Sequence, residues 1–223
     1  MLGKDQEAKT YATYAEGAKQ AYDHLFVKTG TLDTNRQAKI VRPLALGLLD
    51  GEDKKTAQHR LVKAVTDCNY HVGTGFLSTV FLLPTLTEAG ETETAYKMLE
   101  NTEKPGWLGE VLDGATTIWE TWEGNVSRNH YSPGAVCQWL FDTVAGIQPD
   151  GENRFVIKPI PGGTLTFAKA SYQSIYGTVE SGWERGENGT VFTVTVPANT
   201  TACLILPNGD SLCLTSGTHT YTI

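Results

Sequence analysis

The chain has 223 residues, 40 % of them hydrophobic and 19 % charged, with a formal net charge of −7. That leaves room for one large or two modest cores, and the negative charge argues against a nucleic acid or an anionic membrane surface as partner. No apolar run reaches the roughly 18 residues of a membrane span, and Met1-Leu-Gly-Lys-Asp-Gln-Glu lacks the charged-then-apolar pattern of a signal peptide.

Taken in order, the first two thirds of the chain have a helical hydrophobic period. Ala8, Tyr11, Ala15, Ala18, Tyr22 and Leu25 recur at three- and four-residue steps and predict a helix over about 5–26 with one buried stripe. A second helix is expected over 35–49 with Gln37, Val41, Leu44 and Leu48 inward and Pro43 as a kink, and a third over 52–67 with Ala57, Leu61 and Ala64 inward. Residues 76–86 are apolar almost all round and predict a helix buried on most sides; Gly90 stops it, and a short helix over 91–100 follows. Lys104-Pro-Gly-Trp107 reads as a turn presenting an aromatic. Ser132 and Pro133 read as the N-cap and first position of a helix that ends near Gly146.

Composition changes at Gln148-Pro149-Asp150-Gly151, so the expected domains are 1–149, helical, and 150–223, all-β. In the second, Phe155-Val-Ile157, Leu165-Thr-Phe167, Ser174 to Trp183 and Phe192 to Val196 are strand-like. Turns are marked by Pro161-Gly162-Gly163, Gly186 to Gly189 and Asn208-Gly209. Turn signals about every 10 residues suit an antiparallel β-sandwich. The helices, about six in consecutive pairs, suggest part of an α/α toroid, with an apolar edge left open.

Four cysteines, Cys68, Cys137, Cys203 and Cys213, show no C-x-x-C spacing. A two-residue turn at Asn208-Gly209 would set Cys203 opposite Leu214 and turn Cys213 to the other face, which disfavours a bridge. Buried free thiols, and with them a cytoplasmic location, are the expectation. No metal-binding, phosphate-binding or cofactor motif occurs, so neither metal nor cofactor is expected.

The polar and aromatic residues that carry chemistry sit in connections rather than on helix faces: His71, Trp107, Trp119, Glu120, Trp122, Glu123, Asn129 and His130. The centre is Gly114-Ala-Thr-Thr-Ile-Trp-Glu120-Thr-Trp-Glu123-Gly124. A carboxylate beside indole faces is what sugar hydrolysis uses, the ring as apolar platform and the carboxylate to handle protons or water; core tryptophans with solvated glutamates are the bland alternative. Glu120, flanked by Trp119, is the preferred catalytic carboxylate, and Glu123 looks like a turn residue. His130 can bond a sugar hydroxyl or orient water, or be a structural histidine on a backbone carbonyl; His71 has the same two readings.

The ordered motifs His71-Val-Gly-Thr-Gly-Phe-Leu-Ser, Pro105-Gly-Trp107-Leu, Gly114-Ala-Thr-Thr-Ile-Trp-Glu120-Thr-Trp and Ser127-Arg-Asn-His130-Tyr-Ser-Pro-Gly-Ala-Val resemble those of bacterial α-L-rhamnosidases of glycoside hydrolase family 78. The tail, Arg154-Phe-Val-Ile-Lys-Pro-Ile-Pro-Gly-Gly and Val196-Pro-Ala-Asn-Thr-Thr, agrees, so the resemblance spans essentially the whole chain. It implies the later half of an (α/α)6 catalytic barrel followed by a C-terminal β-sandwich. It also implies an inverting enzyme with Glu120 as the water-activating base, His130 lining the sugar site and Trp107 on the pocket wall, with Trp119, Trp122 and His71 as further substrate-binding candidates. The family's general acid belongs to a D-x-x-D-E-R-x-G-W type motif, and nothing like it precedes Glu120 here.

The expected function is therefore a portion of an inverting α-L-rhamnosidase with the base but not the acid, inactive or weakly active alone, acting on a rhamnose-containing glycoside or polysaccharide. The alternatives are a non-catalytic carbohydrate-binding or assembly module, or one piece of a split glycosidase. The open apolar edge predicts self-association or pairing with a missing N-terminal barrel half.

Overall fold

A computed structural model describes residues 3–30 and 32–223, in two compact units, residues 1–133 and 134–223. In the first unit, α1 (Asp5–Tyr22) runs on into a wider turn, Asp23–Val27, and is followed by α2 (Gln37–Ala45), α3 (Gly51–Thr66), α4 (Phe76–Glu88), α5 (Thr92–Leu99) and α6 (Trp107–Leu112). α2 packs on α3 and α4, and α5 packs on the same two helices. The core between them is Ile40, Val41, Leu61, Val65, Leu82, Leu86 and Tyr96, the inward positions that a 3.6-residue period selects.

Helix ends follow backbone chemistry. α2 stops at Ala45, four residues short of the expectation, because Gly47 takes a left-handed φ of +65°. The Leu48 N–H then bonds back to Pro43 O and the Gly47 N–H to Leu44 O, closing the helix as glycine commonly does. Gly90 ends α4 the same way, with Glu91 N–H on Leu86 O.

Two expectations change here, those for α1 and for Trp107. The α1 stripe is not buried: none of its residues is, and Tyr11 and Tyr14 are 70 % and 69 % exposed. An amphipathic period reports that a face can be buried, not that a neighbour is there to bury it. α4 is exposed at its start, at Phe76 and Leu77, and buried or half-buried from Ser78 to Thr87, as its apolar run leads one to expect. Trp107 is not a presented aromatic but the first residue of α6, and it is buried. No helix is long and apolar enough to cross a membrane among the described residues.

In the second unit, Val136–Trp139 and a wider turn, Leu140–Val144, lead into β1 (Ile147–Pro149) and β2 (Arg154–Ile157). β3 (Phe167–Ser174), β4 (Gly177–Gly186), β5 (Gly189–Val196), β6 (Thr201–Ile205), β7 (Ser211–Leu214) and β8 (Gly217–Thr222) follow. They form two four-stranded sheets, ordered β1-β2-β6-β7 and β3-β4-β5-β8. Every pair is antiparallel except β2–β6, which is parallel. The chain leaves β2, builds three strands of the other sheet and returns to β6, a crossover long enough for a parallel neighbour. Alternating residues face inward: Phe155 and Ile157, Ala202 and Leu204, Val179 and Trp183, Phe192, Val194 and Val196 are all buried. The ring of Phe155 on one sheet meets Tyr172 on the other at 6.4 Å, so the unit is a β-sandwich. The Trp183 indole N–H donates to Val144 O at 2.7 Å and the Ser181 hydroxyl to Ala145 O, pinning β4 to the segment that enters β1.

The β6–β7 hairpin corrects the cysteine reading. Leu206 N–H bonds Asp210 O and Gly209 N–H bonds Leu206 O. The loop is therefore Pro207-Asn208-Gly209, three residues and not two, and the register moves by one. Cys203 stands opposite Cys213, and Leu214 opposite Ala202. All four cysteines are free, but Cys203 is half-buried and the other three are exposed, so the expectation of burial fails.

Candidate functional site

The loop that carries the candidate residues starts where α6 stops. Gly114, at φ +89°, lets the Ala115 N–H reach back to Glu110 O at 3.0 Å and frees the chain to run as a strap. Two stretches of the strap lie side by side: Glu120 N–H donates to Ser127 O at 2.8 Å and His130 N–H to Ile118 O at 2.9 Å. The Thr117 hydroxyl donates to Arg128 O. The turn between them closes with Gly124 N–H on Thr121 O and the Thr121 hydroxyl on Asn125 Oδ1. Glu123 is exposed in that turn.

Packing beneath the strap is aromatic. Trp119, 8 % exposed, has Gly124 on its six-membered ring and the Arg128 guanidinium 5.3 Å from the ring centre. Trp107, 4 % exposed, donates its indole N–H to Pro133 O at 3.0 Å and meets the half-buried Trp122 edge-on at 5.9 Å. Glu120, held between Trp119 and the turn, is half-buried, and no hydrogen bond or ion pair engages its carboxylate among the described residues.

His130 lies between Phe76, 4.5 Å away, and Tyr131, 5.1 Å away. Its Nδ1 accepts the Ser132 N–H at 3.3 Å, which in the neutral ring leaves the proton on Nε2. Ser132 does not cap a helix. The helical turn begins one residue earlier, at Tyr131, and the Ser132 hydroxyl donates to Phe76 O at 2.7 Å, tying the strap to the start of α4.

Backbone hydrogen bonds within the strap thus bring Trp119, Glu120 and His130 together, and Trp107 and Trp122 pack against each other. His71 is placed differently: its Nδ1 is 2.7 Å from Cys68 O, its Nε2 is 3.6 Å from Glu103 Oε2, and its carbonyl accepts from Gln37 Nε2. Asp113, at the end of α6, pairs with Lys104 at 2.5 Å, which keeps that ammonium charged above its ordinary range.

Sequence reading missed Glu110. It has no exposed surface; its Oε2 accepts the Trp119 N–H at 3.4 Å, and its Oε1 has no partner among the described residues. Burial raises its pKa above the usual carboxylate range, while the Trp119 N–H and the Lys104 charge pull the other way. The available signal was a lone charge inside the apolar run Trp107-Leu-Gly-Glu-Val-Leu112.

The chain matches two family models. Residues 1–144 match the bacterial α-L-rhamnosidase six-hairpin glycosidase domain, and residues 146–220 match the bacterial α-L-rhamnosidase C-terminal domain. An α-L-rhamnosidase of Formosa agariphila is 34 % identical over the whole chain, which covers 26 % of that protein; one of Streptomyces avermitilis is 35 % identical over 92 % of the chain and 21 % of its own length. Among solved structures, an α-L-rhamnosidase of Aspergillus terreus superposes with a TM-score of 0.93 at 32 % identity, covering the whole chain and 28 % of that structure. The S. avermitilis α-L-rhamnosidase in complex with L-rhamnose gives 0.80 at 32 % identity, over 85 % of this chain and 22 % of that one. The chain spans about a quarter of the length of the curated relatives it matches. With its helices and its sandwich both matched, it belongs to the bacterial α-L-rhamnosidase family of six-hairpin glycosidases.

Proposed function

We propose that this chain supplies the water-activating half of an inverting α-L-rhamnosidase, with Glu120 as general base. The observation that carries the reading is the state of Glu120: a half-buried carboxylate with no partner among the described residues, on a strap whose backbone is fixed by hydrogen bonds on both sides of it. A base must be positioned without being neutralised by an ion pair, and this arrangement meets both conditions. His130, whose Nδ1 accepts the Ser132 N–H, is left to donate from Nε2 to a sugar hydroxyl, and the accessible part of Trp122 supplies an apolar wall. Trp119 and Trp107 act from beneath by holding the strap. The relatives named α-L-rhamnosidase, and the one solved with L-rhamnose, support a terminal α-L-rhamnosyl residue as the substrate.

Inversion uses two carboxyl groups about 6.5–9.5 Å apart, one to protonate the leaving oxygen and one to deprotonate water on the opposite face. Glu120 takes the second role, and the first falls to a residue outside this chain. Loss of an acid costs about 10²–10⁴-fold with ordinary leaving groups, but a nitrophenolate leaves without protonation. The test is therefore cleavage of a dinitrophenyl α-L-rhamnoside followed by proton NMR. Slow release of β-L-rhamnose as the first anomer, abolished in Glu120→Gln, is expected. α-L-Rhamnose as first product, or a Glu120→Gln variant with the parent rate, overturns the assignment.

A further inference from the structure

The shifted register of the last hairpin creates a pairing that has no part in sugar chemistry. Cys203 on β6 and Cys213 on β7 are direct cross-strand partners, and both lie on the outer face, since their neighbours Ala202, Leu204 and Leu214 are the inward, buried residues. Leu206 and Asp210 share the last ladder hydrogen bond. Alternation along an antiparallel pair then makes 204 and 212 a hydrogen-bonded pair, and 203 and 213 a non-hydrogen-bonded one. Such pairs have Cα atoms about 4.5 Å apart, within the span of about 4.4–6.8 Å that a disulfide bridges. The thiols are free, and the Cys203 sulfur instead faces the Ser211 hydroxyl at 3.4 Å.

The pair is also accessible. Cys213 is exposed on β7, the edge strand of its sheet. Both cysteines line an open groove of about 450 Å³ whose walls include Arg154, Asp150, Thr201 and Thr215. Val156, Cys203 and Cys213 form its central row across three strands, and Arg154, paired with Asp150 at 2.6 Å, stands one row along. An open groove with two in-register thiols and a paired arginine and aspartate in its wall admits a small polar disulfide.

We propose that Cys203 and Cys213 form a thiol–disulfide exchange site for a low-molecular-weight disulfide of the glutathione type. The exposed Cys213 thiolate attacks one sulfur of the oxidised tripeptide, breaking its S–S bond and releasing one glutathione thiolate, which takes up a proton. The Cys203 thiolate then attacks Cys213 Sγ in the mixed disulfide, forming the 203–213 bond and releasing the second glutathione. The two cysteine sulfurs lose two electrons in all and the oxidant gains them. Closure is intramolecular between neighbours that already face each other, so the mixed disulfide does not accumulate.

The test is titration of the full 223-residue chain with oxidised glutathione, followed by peptide mapping under acid quench. The expected result is a cross-linked peptide joining Cys203 to Cys213, reversed by dithiothreitol. It should form at a glutathione disulfide concentration at least about tenfold below that which modifies the exposed, unpartnered Cys68 and Cys137. Cys203→Ser should convert the cross-link into a stable glutathione adduct on Cys213. Stable adducts on both cysteines of the parent chain, a link to a second chain, or modification no easier than at Cys68 and Cys137 each overturn the proposal.

Discussion

Gly124 lies flat on the ring of Trp119: a Cβ built on it would stand 2.5 Å from Trp119 Cε3, and its φ is +65°. Both the contact and the backbone conformation demand glycine. Gly124→Ala pays the left-handed penalty of about 1–2 kcal/mol and must also displace a nearly buried indole. We expect a loss of roughly 2–4 kcal/mol in urea unfolding of the helical unit and a changed near-ultraviolet tryptophan circular dichroism spectrum. An unaltered spectrum would show that the ring does not rest there.

Glu110 makes stability depend on pH in a stated direction. Its folded pKa is raised, chiefly by burial, so between the ordinary glutamate range and that raised value the folded chain holds more protons than the unfolded one. Stability contributed by the neutral carboxyl is full below the ordinary pKa and falls as pH rises through the window. Glu110→Gln keeps the shape and an acceptor for the Trp119 N–H while removing the charge. The melting temperature of the variant minus that of the parent should grow more positive by a few degrees between pH 4 and pH 8. A pH-independent difference, measured by differential scanning calorimetry, would contradict this origin.

Ser132→Ala removes the donor to Phe76 O, a bond made by a side chain 1 % exposed. It should cost about 1–2 kcal/mol and loosen the stacking of His130 on Phe76, visible as a move of the His130 ring-proton shifts toward free-histidine values.

The exposed Tyr11 and Tyr14 of α1 lie 6.4 Å apart, ring to ring, on a helix with no buried residue. Apolar surface of this kind marks a contact face. Light scattering should show concentration-dependent association that Tyr11→Glu with Tyr14→Glu abolishes. A parent chain that is monomeric at all concentrations would refute the face as an association surface.

Some of this was legible in residue order. Periodicity placed α3, α4 and α5 to within two residues, because their inward faces are set by local geometry, and the alternation in β5 placed its buried residues correctly. Motif order led to the family, and to Glu120 as the proposed base, since the strap between Gly114 and Gly124 is one continuous segment. What stayed hidden were features made by partners distant in the chain. Gln37 showed as an inward position, but not that it clasps His71 O and the Gly73 N–H across more than thirty residues. Glu110 drew no reading from the sequence, because its burial and its hydrogen bond from the Trp119 N–H depend on the strap that follows α6.

The sequence by itself determined the helix-then-strand order, the family and the segment that bears the candidate base, all of which depend on local pattern. Only the tertiary structure decided which apolar faces find a neighbour, as α1 shows, because a hydrophobic period is silent about what packs on it. It also decided the register at Cys203 and Cys213. One extra loop residue reverses the face of every side chain on a strand, and loop length is set by the hydrogen bond from Leu206 to Asp210 rather than by the Asn208-Gly209 dipeptide.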